Sequence, residues 1–130
     1  DSYPDVEFRV VRSNQPECYK KPNIVFEGML DRDQMDAVFD RISIHIRWPI
    51  HDSMSVMLME AALKGKYIIS RNSFPVGTVV GDFEGLCKAL EDAISRPLSP
   101  CIENREFALA NFTQKSAGIR LGRLLDSLFD

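Results

Sequence analysis

One carboxylate in this chain stands where a carboxylate is expensive. Glu60 lies inside the run Val56–Leu63, every other member of which is apolar. Asp52 precedes it by eight positions, Ser53 and Ser55 lie between them, and Gly65 follows the run. An acid placed in an apolar helix costs free energy unless it is hydrogen-bonded, paired or used. Read as a helix from Ser53 to Lys64, the segment sets Glu60 about two turns beyond Ser53 and on the same face, at ~3.6 residues per turn. Its side chain then leans toward the helix N-terminus, where unpaired N–H groups favour an anion, above all a phosphate. A carboxylate in that place accepts two hydroxyl hydrogen bonds, as a ribose would offer. Plainer roles stand beside these: Glu60 reaching solvent or pairing with a lysine, and Asp52 acting as an N-cap. His51 reads as a loop histidine or a catalytic one. Arg47 and Lys64 read as solvated or paired surface charges, and Met54, Met57, Met59 and Trp48 as core packing.

The elements that must position these residues follow from periodicity and breakers. Glu7 to Arg12 is strand-like, residues 13–23 with Pro16 and Pro22 form a loop, and Ile24 to Glu27, closed by Gly28, is a second strand. Arg32 to Arg41 carries Met35, Val38 and Phe39 at helical spacing behind a plausible N-cap, Asp31. Ile42 to Trp48 alternates, which places Ile42, Ile44, Ile46 and Trp48 on one face of a strand that Pro49 stops. The helix from Ser53, capped by Asp52 or Ser53 and ended by Gly65, is apolar nearly all round and is therefore expected to be buried on most sides. Tyr67 to Ser70 and Thr78 to Val80 read as strands, separated by a breaker-rich turn over 72–77. Asp82 caps a helix with Phe83, Leu86, Leu90 and Ile94 as its apolar face, broken by Pro97 and Pro100. Glu103 to Asn111 is helical, and Thr113 caps a last helix whose stripe is Ala117, Leu121, Leu124, Leu125 and Leu128, expected to dock within the domain.

Strands alternating with helices imply an α/β fold with an open, mainly parallel sheet that takes in the strands at residues 24–27, 42–48 and 67–70. Ligands of such sheets bind beyond the carboxyl ends of the strands, which is where the loop from Pro49 to Ser55 falls. The 130 residues suit a single domain, and 45% hydrophobic with 27% charged residues suits an ordinary globular one. A net charge of −3 disfavours a general nucleic-acid binder. No apolar stretch approaches the ~20 residues of a membrane span. Cys18, Cys87 and Cys101 form no CxxC pair and His45 and His51 no HExxH spacing, so a metal site is not expected, and free thiols in the cytoplasm are the simplest reading.

The stretch from Asp52 to Ser70 resembles the donor-binding segment of retaining GT-B glycosyltransferases, the "glycosyl transferases group 1" family. The matching residues are Asp52, the turn Ser53–Val56, Glu60-Ala61, Gly65-Lys66 and Ile68-Ile69-Ser70, with the acid-to-acid spacing of that family's Glu-x7-Glu motif. Outside it the likeness is weaker and reaches over residues 23–128. Asp52 stands where the family usually has Glu, and Ser53 and Ser55 where glycines are common. The resemblance implies a Rossmann-like, partial C-terminal nucleotide-sugar domain, with the N-terminal acceptor domain absent from residues 1–130. It implies that Asp52, Ser53, Met54, Ser55, Val56 and Glu60 contact a nucleotide-sugar donor. No metal or further cofactor is implied, the acceptor is unspecified, and any peripheral membrane contact belongs to the missing domain. The arginine and lysine that neutralise the donor phosphates in the family have no counterpart. The alternative is a degenerate, non-catalytic binding or assembly module, which the altered turn favours; a dehydrogenase-type Rossmann domain is disfavoured by the lack of a GxGxxG motif.

Overall fold

The computed structural model describes residues 3–13, 16, 21–96 and 100–129, apart from the side chains of 128 and 129. Cys18, Pro97, the Leu128 side chain and much of the loop expected over 13–23 lie outside the described residues. The chain is mixed α/β, with five short strands in two small parallel sheets and five helices among the described residues. It forms two compact units, Asp1–Asp40 and Arg41–Asp130.

In the first unit, β1 (Phe8–Val11) and β2 (Ile24–Gly28) pair in parallel, Phe8 opposite Ile24 and Val10 opposite Phe26. The Arg9 guanidinium bonds the carboxylates of Glu7 and Glu27 and so ties the two strands together. Helix α1 (Arg32–Arg41) opens on a reciprocal cap. The Gln34 N–H donates to Asp31 Oδ1 at 2.8 Å, and the Asp31 N–H donates to Gln34 Oε1 at 3.0 Å. The expectation that β2 shares a sheet with the later strands is not met: β2 pairs with β1, and the later strands form a sheet of their own.

The second unit runs β3 (Ile44–Arg47), α2 (Val56–Leu63), β4 (Tyr67–Ser70), β5 (Thr78–Val79), α3 (Phe83–Ser95), α4 (Ile102–Asn111) and α5 (Gln114–Phe129). The sheet order is β3-β4-β5, parallel throughout, with Ile44 opposite Tyr67 and Arg47 opposite Ser70. Parallel neighbours require a crossover, and α2 supplies the one between β3 and β4. It ends in a Schellman motif: the Lys66 N–H reaches the Ala61 carbonyl and the Gly65 N–H the Ala62 carbonyl, both at 2.9 Å, with Gly65 at φ +67°. Helix α4 packs on α2 where both are small, Ala61, Ala62 and Ala108 being fully buried. Two hydrogen bonds fix it there, Cys101 N–H to the Gly65 carbonyl at 2.7 Å and Asn104 Nδ2 to the Lys66 carbonyl at 2.8 Å.

Three amphipathic readings are corrected. In β3 the most buried residue is His45, while Ile44, Ile46 and, just beyond the strand, Trp48 are only half-buried. A short parallel strand is covered on both faces, so alternation does not single out one core face. In α3 the buried positions are Leu90 and Ala93, whereas Phe83 is 74% and Ile94 36% exposed. The helix packs through its C-terminal half and lets its first turn project. In α5, Leu121, Leu124 and Leu125 are exposed and Ala117 with them, so the stripe does not dock within the described structure. That helix packs on α4 and buries Ser116 instead.

Candidate functional site

The carboxyl ends of β3 and β4 bring together the residues with the most chemistry. Pro49 lacks an N–H and stops β3, and the chain then crosses the sheet edge to reach α2. Several bonds hold this edge. The Arg71 N–H donates to the Arg47 carbonyl at 3.0 Å, extending the β3–β4 ladder by one step. Asn72 Nδ2 donates to the Pro49 carbonyl at 3.1 Å, and Ser70 Oγ donates to the Asn72 carbonyl at 2.9 Å. The Arg47 guanidinium bonds Asp52 through Nε–H to Oδ2 at 2.8 Å, with the Asp52 side chain largely covered. The Arg71 guanidinium carbon stands 5.6 Å from the centre of the Trp48 ring, a cation–π stack.

This geometry changes the expected start of α2. The helix begins at Val56, not Ser53, and its N-cap is the buried Ser55, whose carbonyl accepts from the Leu58 and Met59 N–H groups at 3.1 Å. Neither Asp52 nor Ser53 caps it. The Asp52 carboxylate is drawn back to Arg47 in the strand, and Ser53 and Met54 remain in the exposed loop. Met54, expected in the core, is 52% exposed. No side chain caps the first turn of α2, so its leading N–H groups keep their partial positive charge for whatever approaches.

Glu60 consequently shares a face with Val56, one turn earlier, rather than with Ser53. Val56 is 64% exposed and Glu60 half-buried. Both lie nearly opposite the face formed by Leu58, Ala61 and Ala62, at ~3.6 residues per turn. Among the described residues no donor or cation meets the Glu60 carboxylate. Of the six residues expected at the site, Asp52 to Ser55 are the consecutive residues that lead into α2, Val56 opens the helix and Glu60 lies one turn in, with Asp52 paired to Arg47 and Ser55 buried. Sequence reasoning missed Arg71 and Asn72, and assigned Trp48 to the core. The available signal was their position: they directly follow the ends of strands, where loop residues of a parallel sheet meet ligands.

His45, two residues before Arg47 in β3, is buried, and desolvation together with the nearby Arg47 charge lowers its pKa to about 4. It is a neutral imidazole beneath the site at physiological pH. A separate open cavity of about 240 Å³ lies at the amino ends of β4 and β5, lined by Tyr67, Gly77, Asp92, Arg96 and Asn104 among others. None of the expected site residues lines it. Among the described residues no helix is long and apolar enough to cross a membrane, and no group of three or more His, Cys, Asp or Glu side chains could hold a metal ion. The edge at α2 can bind an anion at its uncapped N–H groups and accept hydroxyl hydrogen bonds at Glu60. No protein-family model, curated protein or solved structure matches the chain.

Proposed function

We propose that the carboxyl edge of the second unit is the donor site of a nucleotide-sugar-dependent glycosyltransferase of the GT-B, group 1 type, built on a Rossmann-like domain. The observation that carries this reading is the side-chain-uncapped start of α2 at the end of a parallel β3–α2–β4 crossover, with the Glu60 carboxylate one turn in and unpartnered among the described residues. The donor diphosphate sits over the first turn, where the N–H groups stabilise the charge that develops as it leaves. Glu60 takes the ribose hydroxyls, and Ser53 to Val56 form the wall beside the phosphates. The sugar is passed with retention at its anomeric carbon to an acceptor of unspecified kind, and the enzyme works in the cytoplasm.

A degenerate, non-catalytic module is the second reading, and the Arg47–Asp52 pair favours it: the acid that matches the first motif position is occupied by an internal arginine. Binding separates the two. Titration of the chain with UDP-, GDP- and ADP-sugars is expected to show saturable binding by one of them, weakened at least ~10-fold in Glu60→Gln through loss of charge-assisted hydrogen bonds. Melting temperature should hardly move, because Gln is nearly isosteric. Unchanged donor affinity in Glu60→Gln would remove Glu60 from the site, and absence of binding by any nucleotide-sugar would favour the degenerate module.

A further inference from the structure

The last helix carries exposed leucines and an excess of positive charge together. On α5, Leu121, Leu124 and Leu125 are 57%, 56% and 45% exposed, and Ala117 is exposed with them. At ~3.6 residues per turn these four share one face. Among the described side chains of α5 only Ser116 is buried, and at that spacing it lies across the helix from Leu121 and Leu125. Packing on α4 therefore turns the leucine face away from its neighbour. The same helix sets Lys115, Arg120 and Arg123 against a single acid, Asp126. Each of the other four helices among the described residues has a net negative charge, as has the whole chain. All three cations are exposed, and no carboxylate meets them among the described residues. Arg120, four residues before Leu124, borders the leucine face, and its guanidinium donates to the Asn111 carbonyl, which leaves its charge uncompensated.

We infer that α5 docks on an anionic lipid surface, lying in the plane of the interface with its leucines at the acyl chains and its cations among the headgroups. The helix is not long and apolar enough to cross a membrane, so it rests on one. An apolar face opposite a basic polar face is the pattern of helices that lie in the interface. Charge selects this occupant. A second copy would bring two net-positive helices together, and four face residues are few beside the roughly 20–30 per side of a stable protein interface. A bilayer needs no groove shaped to the helix: apolar area drives the leucines in, and anionic headgroups draw Lys115, Arg120 and Arg123. Such docking requires no donor site, and it puts the membrane contact on this chain, whereas the family resemblance leaves it to the missing domain.

The test is flotation of the full chain with vesicles of phosphatidylcholine alone and of phosphatidylserine and phosphatidylcholine in equal parts. Binding to the mixed vesicles is expected to exceed binding to the neutral ones at least ~10-fold and to fall as salt is raised. The double variant Leu121→Gln/Leu124→Gln should bind the mixed vesicles at least ~10-fold more weakly, with a melting temperature close to that of the parent chain when no vesicles are present. Lys115→Glu/Arg123→Glu keeps the leucines and should reduce binding of the mixed vesicles to the level of the neutral ones. Equal binding of the parent chain to both vesicle types, binding to neither, or full binding by the leucine variant overturns the proposal. A concentration-dependent dimer in sedimentation equilibrium that the leucine variant abolishes, with no vesicle binding, overturns it as well and gives the face to a second copy.

Discussion

His45 is a neutral side chain by virtue of its surroundings. Its folded pKa of about 4 lies below the ordinary value of 6.5, with burial the main cause and Arg47 the lesser one. Between those two values the unfolded chain binds a proton that the folded chain refuses. Its contribution to stability is therefore complete above pH 6.5 and is lost as pH falls toward 4, up to about 3 kcal/mol in all. Chemical denaturation at pH 7 and pH 5 should show this decline, and His45→Gln should flatten it. The Arg47–Asp52 pair belongs to the same scale. With Asp52 15% and Arg47 34% exposed, the pair falls between surface and buried ion pairs. Asp52→Asn is expected to cost about 1–2 kcal/mol, read from the denaturant midpoint at low and high salt. A cost of zero would mean that water already screens the pair.

At the scale of elements, α2 depends on how it stops as much as on how it starts. Gly65 is held at φ +67° by the Schellman bonds, and a Cβ there would lie 3.1 Å from Pro100 Cβ. Gly65→Ala should cost about 1 kcal/mol from its backbone conformation, with some addition from the contact with Pro100. Gly77, at φ +88° before β5, is a harsher case: a Cβ there would stand 2.5 Å from the Ile68 carbonyl oxygen, a backbone atom of the central strand. Nothing flexible can give way, so Gly77→Ala should lower the denaturation midpoint clearly more than Gly65→Ala. The reverse order would show that the 72–77 turn moves more easily than the α2–β4 junction. The start of α2, by contrast with its well-closed end, carries no side-chain cap, which leaves its first N–H groups without an internal acceptor.

Across the whole molecule the apolar residues are unevenly employed. Leu90 packs in the core of the second unit and is 6% exposed, while Leu121 and Leu124 on α5 are 57% and 56% exposed. Leu90→Ala should destabilise by ~2–5 kcal/mol. Leu121→Gln and Leu124→Gln should each fall within ~0.5 kcal/mol of the parent chain. Thermal melts of the three variants under one buffer would establish the contrast, and a large loss at Leu121 would mean that α5 is docked in solution.

Local chemistry alone settled much of this protein. The Asp31–Gln34 cap, the Asp82 cap with its bond to the Gly85 N–H, the Thr113 cap with its bond to the Ser116 N–H and the stop at Gly65 all follow from neighbours along the chain. The type and order of the strands and helices were also legible, from alternation, helical spacing and breakers along the chain, whereas which strands pair was not. Partners distant in sequence were decided only in three dimensions. Asp52 was legible as a capping acid or a ligand contact; it pairs instead with Arg47 at the end of β3, and α2 starts at Val56. Arg71 and Trp48 carry no pattern of their own and become neighbours because β4 pairs beside β3. The α5 stripe has the spacing of a docked helix, yet amphipathicity specifies only a face able to be buried. Whether a face is covered depends on what the rest of the chain sets against it, and here the described structure leaves it open.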